Sequence, residues 1–118
     1  MAEDNLVDRV AAVFRQAGLP AHADAPASGG FGVQAPAPAD PAEVGAYVVW
    51  NASDELNEPA FARLLDNDLE HPSVLHMGRT LEAMAEAMLA ILASAGLNAR
   101  MSGDDLAPAT VVVYQERA

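Results

Sequence analysis

The longest apolar helical pattern in the chain lies between residues 81 and 99, and it is the strongest constraint on the fold. Apolar side chains recur there every three or four residues, which is typical of a helix that packs one face against a core. Gly96 follows the pattern, and a glycine at this point can end a helix at positive φ. Residues 97–101 then alternate between apolar and polar, which predicts a strand. The helical stripe consists of Leu81, Met84, Met88, Ile91 and Ala95.

The same succession of helix, glycine and strand occurs near the N-terminus. Residues 10–21 read VAAVFRQAGLPA and residues 88–99 read MLAILASAGLNA, so Ala-Gly-Leu-x-Ala recurs at an offset of 78 residues. Either an α-β-β unit is repeated, or a common helix-to-strand transition occurs twice. In the first case the pseudo-repeat units span about residues 4–36 and 73–116, and they are joined by a strand at 45–51 and a helix at 54–70.

The periodicities together predict the order α-β-β-β-α-α-β-β. We expect one small α+β domain over residues 1–118, built as a two-layer sandwich of three helices and a mainly antiparallel sheet of about five strands. The segment GAYVVWN has the highest β propensity and is almost continuously apolar, which predicts a central strand. The five predicted strands lie at 19–23, 31–35, 45–51, 97–101 and 110–115.

Cysteine is absent from the chain, which excludes disulfides, cysteine-based zinc sites, iron–sulfur clusters and thiol catalysis. No basic-then-apolar leader indicates a signal peptide, and no apolar run approaches the roughly 20 residues that span a bilayer. We therefore expect a cytoplasmic protein with no membrane segment.

The formal charge is −11, and all six basic residues are arginine. Such a chain repels the phosphates of nucleic acids and of anionic lipids, so we expect no direct contact with nucleic acid or membrane. The acidic surface has two interpretations. It can keep an alanine-rich domain soluble, or it can steer binding to a basic protein partner.

No group of residues in the sequence predicts catalysis. His71 and His76 are five residues apart across Pro72, which does not place them on one helical face as a zinc pair requires. The glycine cluster at residues 29–32 opens a strand and lacks the lysine of a phosphate-binding loop. We predict no catalytic residue, no metal and no cofactor, and we favour a protein that is not an enzyme without excluding one.

The candidate surface residues fall into two groups. Met77, Met84 and Met88 share a helical stripe that is either core or an adaptable surface for a partner, and Tyr114 lies on a strand that can form a sheet edge. These four are the interface candidates. Trp50, the single tryptophan, and His76 are the candidates for a pocket between sheet and helices.

Three functional hypotheses remain at this stage. The first is a non-enzymatic protein–protein interaction module that binds another protein or, more specifically, self-associates as a homodimer. The second is an acidic inhibitor, immunity-type protein or nucleic-acid mimic that binds a basic partner. The third is a small-molecule binder or enzyme with a pocket near Trp50.

Overall fold

Three α-helices and a four-stranded antiparallel sheet form an α+β fold in the computed structural model, which describes residues 5–103 and 109–115. Residues 4 and 116, the outer limits of the two predicted repeat units, lie outside this description. The elements in chain order are α1 (Leu6–Gln16), β1 (Gly30–Gln34), β2 (Val44–Asn51), α2 (Asp54–Leu65), α3 (Pro72–Ser94), β3 (Asn98–Met101) and β4 (Val111–Tyr114).

The strand order in the sheet is β1-β2-β4-β3, and every pair is antiparallel. The apolar segment GAYVVWN falls in β2, which lies between β1 and β4 as its composition predicts. Tyr47 of β2 pairs with Val112 of β4, which in turn pairs with Arg100 of β3. These three side chains therefore share one face of the sheet.

The prediction of five strands, and with it the order α-β-β-β-α-α-β-β, is not confirmed, because residues 19–23 do not form a strand. Ala21 makes one isolated parallel bridge to Phe31, and the chain then turns through a 3-10 helix at His22–Asp24. Proline at position 20 has no N–H to donate to a ladder, and the turn bond from Asp24 N–H to Ala21 C=O removes the next residues from extension.

Each helix begins at a residue whose side chain accepts a backbone hydrogen bond, as stable N-termini require. The pairs are Asn5 with the N–H of Asp8 (2.8 Å), Ser53 with that of Leu56 (3.4 Å), and His71 Nδ1 with that of Ser73 (3.1 Å). α2 ends at Leu65, short of residue 70.

The two Ala-Gly-Leu segments end their helices in the same way. Gly18 and Gly96 have φ of 91° and 86°, which glycine adopts without a Cβ clash. In each segment the leucine N–H reaches back five residues, to Phe14 C=O at 3.0 Å and to Leu92 C=O at 3.1 Å. The similarity stops there, since Ala21 lies parallel to β1 whereas β3 runs antiparallel to β4.

The hydrophobic core lies between one face of the sheet and two helical segments. α1 contributes Val10 and Phe14, and Phe14 packs against Phe31 of β1 with 5.1 Å between ring centroids. The C-terminal half of α3 contributes Ala85, Met88 and Leu92, all without exposed surface. From the sheet and its connections come Ala21, Phe31, Ala46, Val48, Leu97, Val111 and Val113.

The remaining helical part extends beyond this core. α3 has 23 residues and is about 34 Å long, yet the core cluster contains none of its residues before Ala85. α2 packs against α3 and against the 3-10 turn at Pro26–Ser28, and it contributes nothing to the core cluster. We call residues 54–84 the hairpin.

Candidate functional site

The interface candidates from the methionine stripe are divided between core and surface. Met88 has no exposed surface and belongs to the core cluster. Met77 and Met84 are half-buried on the hairpin portion of α3. Tyr114 is half-buried at the end of β4, paired between Val44 and Asn98. The structure therefore does not bring these four residues into one patch.

The two pocket candidates lie on different elements. Trp50 is half-buried near the end of β2 and packs against the core. His76 is exposed in the second turn of α3. Neither residue lines either of the two surface clefts described for this structure, one at the outer edge of β1 and the other along α1.

The cleft at the outer edge of β1 is an open groove of about 440 Å³ between α1 and the strand. Arg15 stands at its rim, paired with Asp24 at 3.0 Å and lying 5.9 Å from the Phe31 ring centroid. Both members of the ion pair are more than half exposed, so the pair contributes little to stability. The pair links the 3-10 turn at His22–Asp24 to the end of α1.

The sheet face opposite the helices carries Tyr47, whose pKa is shifted from its ordinary value. Burial raises the pKa of the Tyr47 phenol above its ordinary value of 10.0, and the nearby Asp40 carboxylate, which accepts the phenol's hydrogen bond, raises it further. Tyr114 adds a smaller contribution in the same direction. The Asp40 carboxylate is itself held by the N–H of Ala37 at 2.7 Å. The phenol is therefore kept neutral, which indicates a structural contact.

The hairpin exposes large apolar side chains around its connecting turn. We call these the tip residues: Phe61, Leu64, Leu65, Leu69 and Leu75, with exposed fractions of 50%, 36%, 89%, 56% and 45%. All lie within about one helical turn of the segment between α2 and α3. Summed over the five residues, their exposed apolar surface is roughly 450 Å².

The turn that displays the tip residues is well defined. The N–H of Asp68 donates to Arg63 C=O at 2.9 Å, and Asn67 adopts a positive φ of 59°. His71 then caps α3 through the N–H of Ser73. The backbone between α2 and α3 is therefore hydrogen-bonded on both sides of the turn.

The outer face of α2 combines charge with apolar surface. Asp54, Glu58, Phe61 and Leu65 follow at spacings of four, three and four, which places them on one helical stripe. All four are exposed. Phe61 and Leu65 are not among the interface candidates predicted from the sequence, although two acidic residues on the same stripe indicate that this face meets water.

The hairpin as a whole is strongly acidic. It holds seven acidic residues and two arginines, Arg63 and Arg79, and all nine are exposed. Neither arginine forms an ion pair within residues 5–103 and 109–115. The acidic residues are Asp54, Glu55, Glu58, Asp66, Asp68, Glu70 and Glu82.

Groups suited to metal binding or acid–base chemistry are not assembled in the described part of the chain. No three side chains of His, Asp or Glu there lie close enough to hold a metal ion. None of the three histidines hydrogen-bonds to a carboxylate there, and His71 instead contacts the Ser73 hydroxyl at 2.8 Å. Among the described helices none has the length and apolar character to cross a bilayer.

Comparison with known proteins gives no relative: no protein-family model, no curated protein and no solved structure matches the chain.

Proposed function

We propose that this chain is a non-enzymatic protein-interaction module whose docking surface is formed by the tip residues of the hairpin. The observation that carries the proposal is the exposure of these side chains, above all Leu65 at 89%. Apolar surface of this size, rimmed by charged residues, is characteristic of protein contact sites. The two helices of the hairpin form a single layer, which needs a second layer to bury its outer apolar side chains.

A second copy of the chain is the occupant that we propose first. A standard interface covers about 800 Å² on each partner, and somewhat more than half of it is apolar. The roughly 450 Å² offered by the tip residues matches that apolar share. Two hairpins meeting across a two-fold axis would form a four-helix arrangement in which each tip covers the other.

The negative charge of the hairpin opposes dimerisation, so dimerisation should depend on the salt concentration. Each hairpin has seven acidic side chains against two arginines, and like charges facing each other weaken association. Added salt screens that repulsion, with the screening length falling from about 10 Å at 0.1 M to about 3 Å at 1 M. Self-association through the tip is therefore expected to strengthen as salt is raised.

Sedimentation velocity at increasing protein concentration, in about 0.05 M and about 0.5 M NaCl, tests the proposal. The wild-type chain should show a dimer fraction that rises with salt. Leu65→Ser should be monomeric under both conditions, whereas Leu65→Met, which keeps the apolar surface, should retain the dimer. Because Leu65 is almost fully exposed, neither change should lower the thermal midpoint measured by circular dichroism at a protein concentration that keeps the chain monomeric.

Two outcomes would contradict self-association through the tip. One is a wild-type chain that stays monomeric up to about 1 mM protein, where even a weak dimer is populated. The other is a dimer that Leu65→Ser leaves intact, which would place the interface elsewhere on the molecule.

The small-molecule hypothesis gains no support from a specific observation. The groove beside β1 is open, and its rim arginine is already paired with Asp24. Trp50 and His76 do not line it.

A further inference from the structure

We infer that the hairpin tip recognises a cationic amphipathic helix of another protein, an inference that rests on the proposed docking function and adds the chemistry of the partner. It starts from the outer stripe of α2, where charge and apolar surface follow one another along a single line. Asp54 and Glu58 occupy its N-terminal end, and Phe61 and Leu65 its C-terminal end.

The length of this stripe suits a helical partner. The rise from residue 54 to residue 65 is about 16 Å, or three helical turns. A helix laid along it would place apolar side chains at i, i+3 or i+4 against Phe61 and Leu65, while basic side chains one or two turns away would meet Asp54 and Glu58. Such a helix would give the two-helix layer of the hairpin the third element that it lacks.

The net negative charge of the hairpin favours a positively charged partner. Its seven carboxylates are all exposed, and its two arginines form no ion pairs within the described residues. These acidic groups attract lysine and arginine side chains over distances of about one screening length. Anionic lipid surfaces and nucleic acids are repelled by the same charges, so a protein segment is the occupant that fits.

A cationic helix also differs from a second copy in a measurable way. Attraction between opposite charges weakens when salt is added, whereas repulsion between two acidic hairpins weakens and lets the dimer strengthen. Both occupants use Leu65. The cationic helix is therefore expected to bind best at low salt and to convert any dimer into a one-to-one complex.

The test uses the full chain and a synthetic peptide of about 18 residues, roughly five helical turns, with leucine at i, i+3, i+4 and i+7 spacings and lysine elsewhere. A scrambled peptide of the same composition lacks the apolar face. Binding is measured by isothermal titration calorimetry in about 0.05 M and about 0.2 M NaCl. We expect the helical peptide to bind one to one, at least about tenfold more tightly than the scrambled peptide, and more weakly as salt rises.

Matched variants locate the binding surface. Leu65→Ser should weaken peptide binding about tenfold, because an apolar side chain loses its contact. Glu58→Lys should weaken it about fivefold or more, whereas Glu86→Lys, an identical charge change on an exposed glutamate of α3 outside the hairpin, should change it less than twofold. If either lysine variant fails to fold, Glu58→Gln and Glu86→Gln provide the same comparison with half the change in charge.

Equal binding of the two peptides, equal effects at positions 58 and 86, or no effect of Leu65→Ser would each overturn the inference, because any of them means general attraction to an acidic protein. The outcome also separates the two proposals. Failure of the helical peptide to bind, together with a dimer that depends on Leu65, refutes the cationic partner and leaves the docking function in place. Failure of both peptide binding and dimer formation refutes both.

Discussion

The packed region and the hairpin use the same kind of amphipathic helix with opposite results. In α1 the apolar stripe includes Val10 and Phe14, and neither has any exposed surface because the sheet lies against them. In α2 the comparable residues Phe61 and Leu65 are 50% and 89% exposed, because no second layer faces them. The difference shows that the apolar residues of an amphipathic helix are buried only where a second layer of the fold lies against them.

One helix belongs to both regions and changes character along its length. The C-terminal half of α3 buries Ala85, Met88 and Leu92 completely. Its N-terminal half has half-buried Met77 and Met84 and exposed Leu75. The boundary between the two regions is thus a point along one continuous helix.

The largest expected effect contrasts the same substitution in the two regions. Leu92→Ala should lower the free energy of unfolding by about 2–5 kcal/mol, since it leaves a cavity in a closed core. Leu65→Ala should change it by less than about 0.5 kcal/mol, because that side chain is already in water. Urea denaturation followed by circular dichroism, at a protein concentration that keeps the chain monomeric, measures both. Similar losses for the two variants would contradict the division into regions.

A smaller effect concerns Gly78, in the hairpin portion of α3. A Cβ added there meets no atom within 4 Å, so the glycine weakens the helix without serving close packing. Gly78→Ala should raise the free energy of unfolding by about 0.5–1 kcal/mol. Gly96→Ala provides the control, because a φ of 86° should make the identical change destabilising by about 1 kcal/mol.

Amide hydrogen exchange shows which region of the molecule the Gly78→Ala substitution stabilises. If the hairpin opens independently of the core, Gly78→Ala should slow exchange in residues 72–84 and leave the β2 amides unchanged. Equal slowing in residues 72–84 and in the β2 amides would show that the hairpin and the packed region unfold together. The two regions would then not differ in local stability.

The smallest effect lies on the helix-free face of the packed region. Asp40→Asn should lower the pKa of Tyr47 toward 10.0 by removing a negative charge and a carboxylate acceptor, while the larger contribution from burial remains. Titration of tyrosinate absorbance measures it in a Tyr114→Phe background, which leaves Tyr47 as the one tyrosine. An unchanged titration curve would mean that Asp40 does not act on the phenol.

The same shift has a consequence for stability. Because the folded state raises the pKa of Tyr47 and so favours the neutral phenol, its contribution to stability is present below pH 10 and is lost as pH rises through the folded pKa. Asp40→Asn should therefore reduce the alkaline loss of stability.

Local signals in the sequence predicted much of the packed region. Gly18 and Gly96 predicted the ends of α1 and α3, since a glycine after an apolar helical stripe commonly adopts the positive φ that ends a helix. The near-continuous apolar run in β2 predicted its central place in the sheet. The predicted fifth strand at 19–23 is not confirmed, because Pro20 has no N–H to donate and the chain enters a 3-10 helix at His22 after a single bridge at Ala21.

The proposed docking surface was not predictable from the same signals. Phe61, Leu64 and Leu65 have the spacing of an ordinary buried stripe, and periodicity does not report whether a facing layer exists. The methionine stripe was the more conspicuous pattern, yet Met88 lies wholly in the core. Only the tertiary arrangement, in which α3 continues past the sheet, shows which apolar residues remain uncovered.

The segment before the 3-10 turn occupies part of the free edge of β1. β1 is an outer strand, and a free strand edge can pair with strands of other molecules and begin a fibril. Many proteins guard such an edge with lysine, which this chain does not contain. Here the C=O of Pro20 accepts a hydrogen bond from the N–H of Phe31 at 2.9 Å. Because Pro20 has no N–H, an incoming strand cannot form a ladder hydrogen bond to it. Replacing Pro20 would therefore matter less for folding than for keeping separate molecules apart at high concentration.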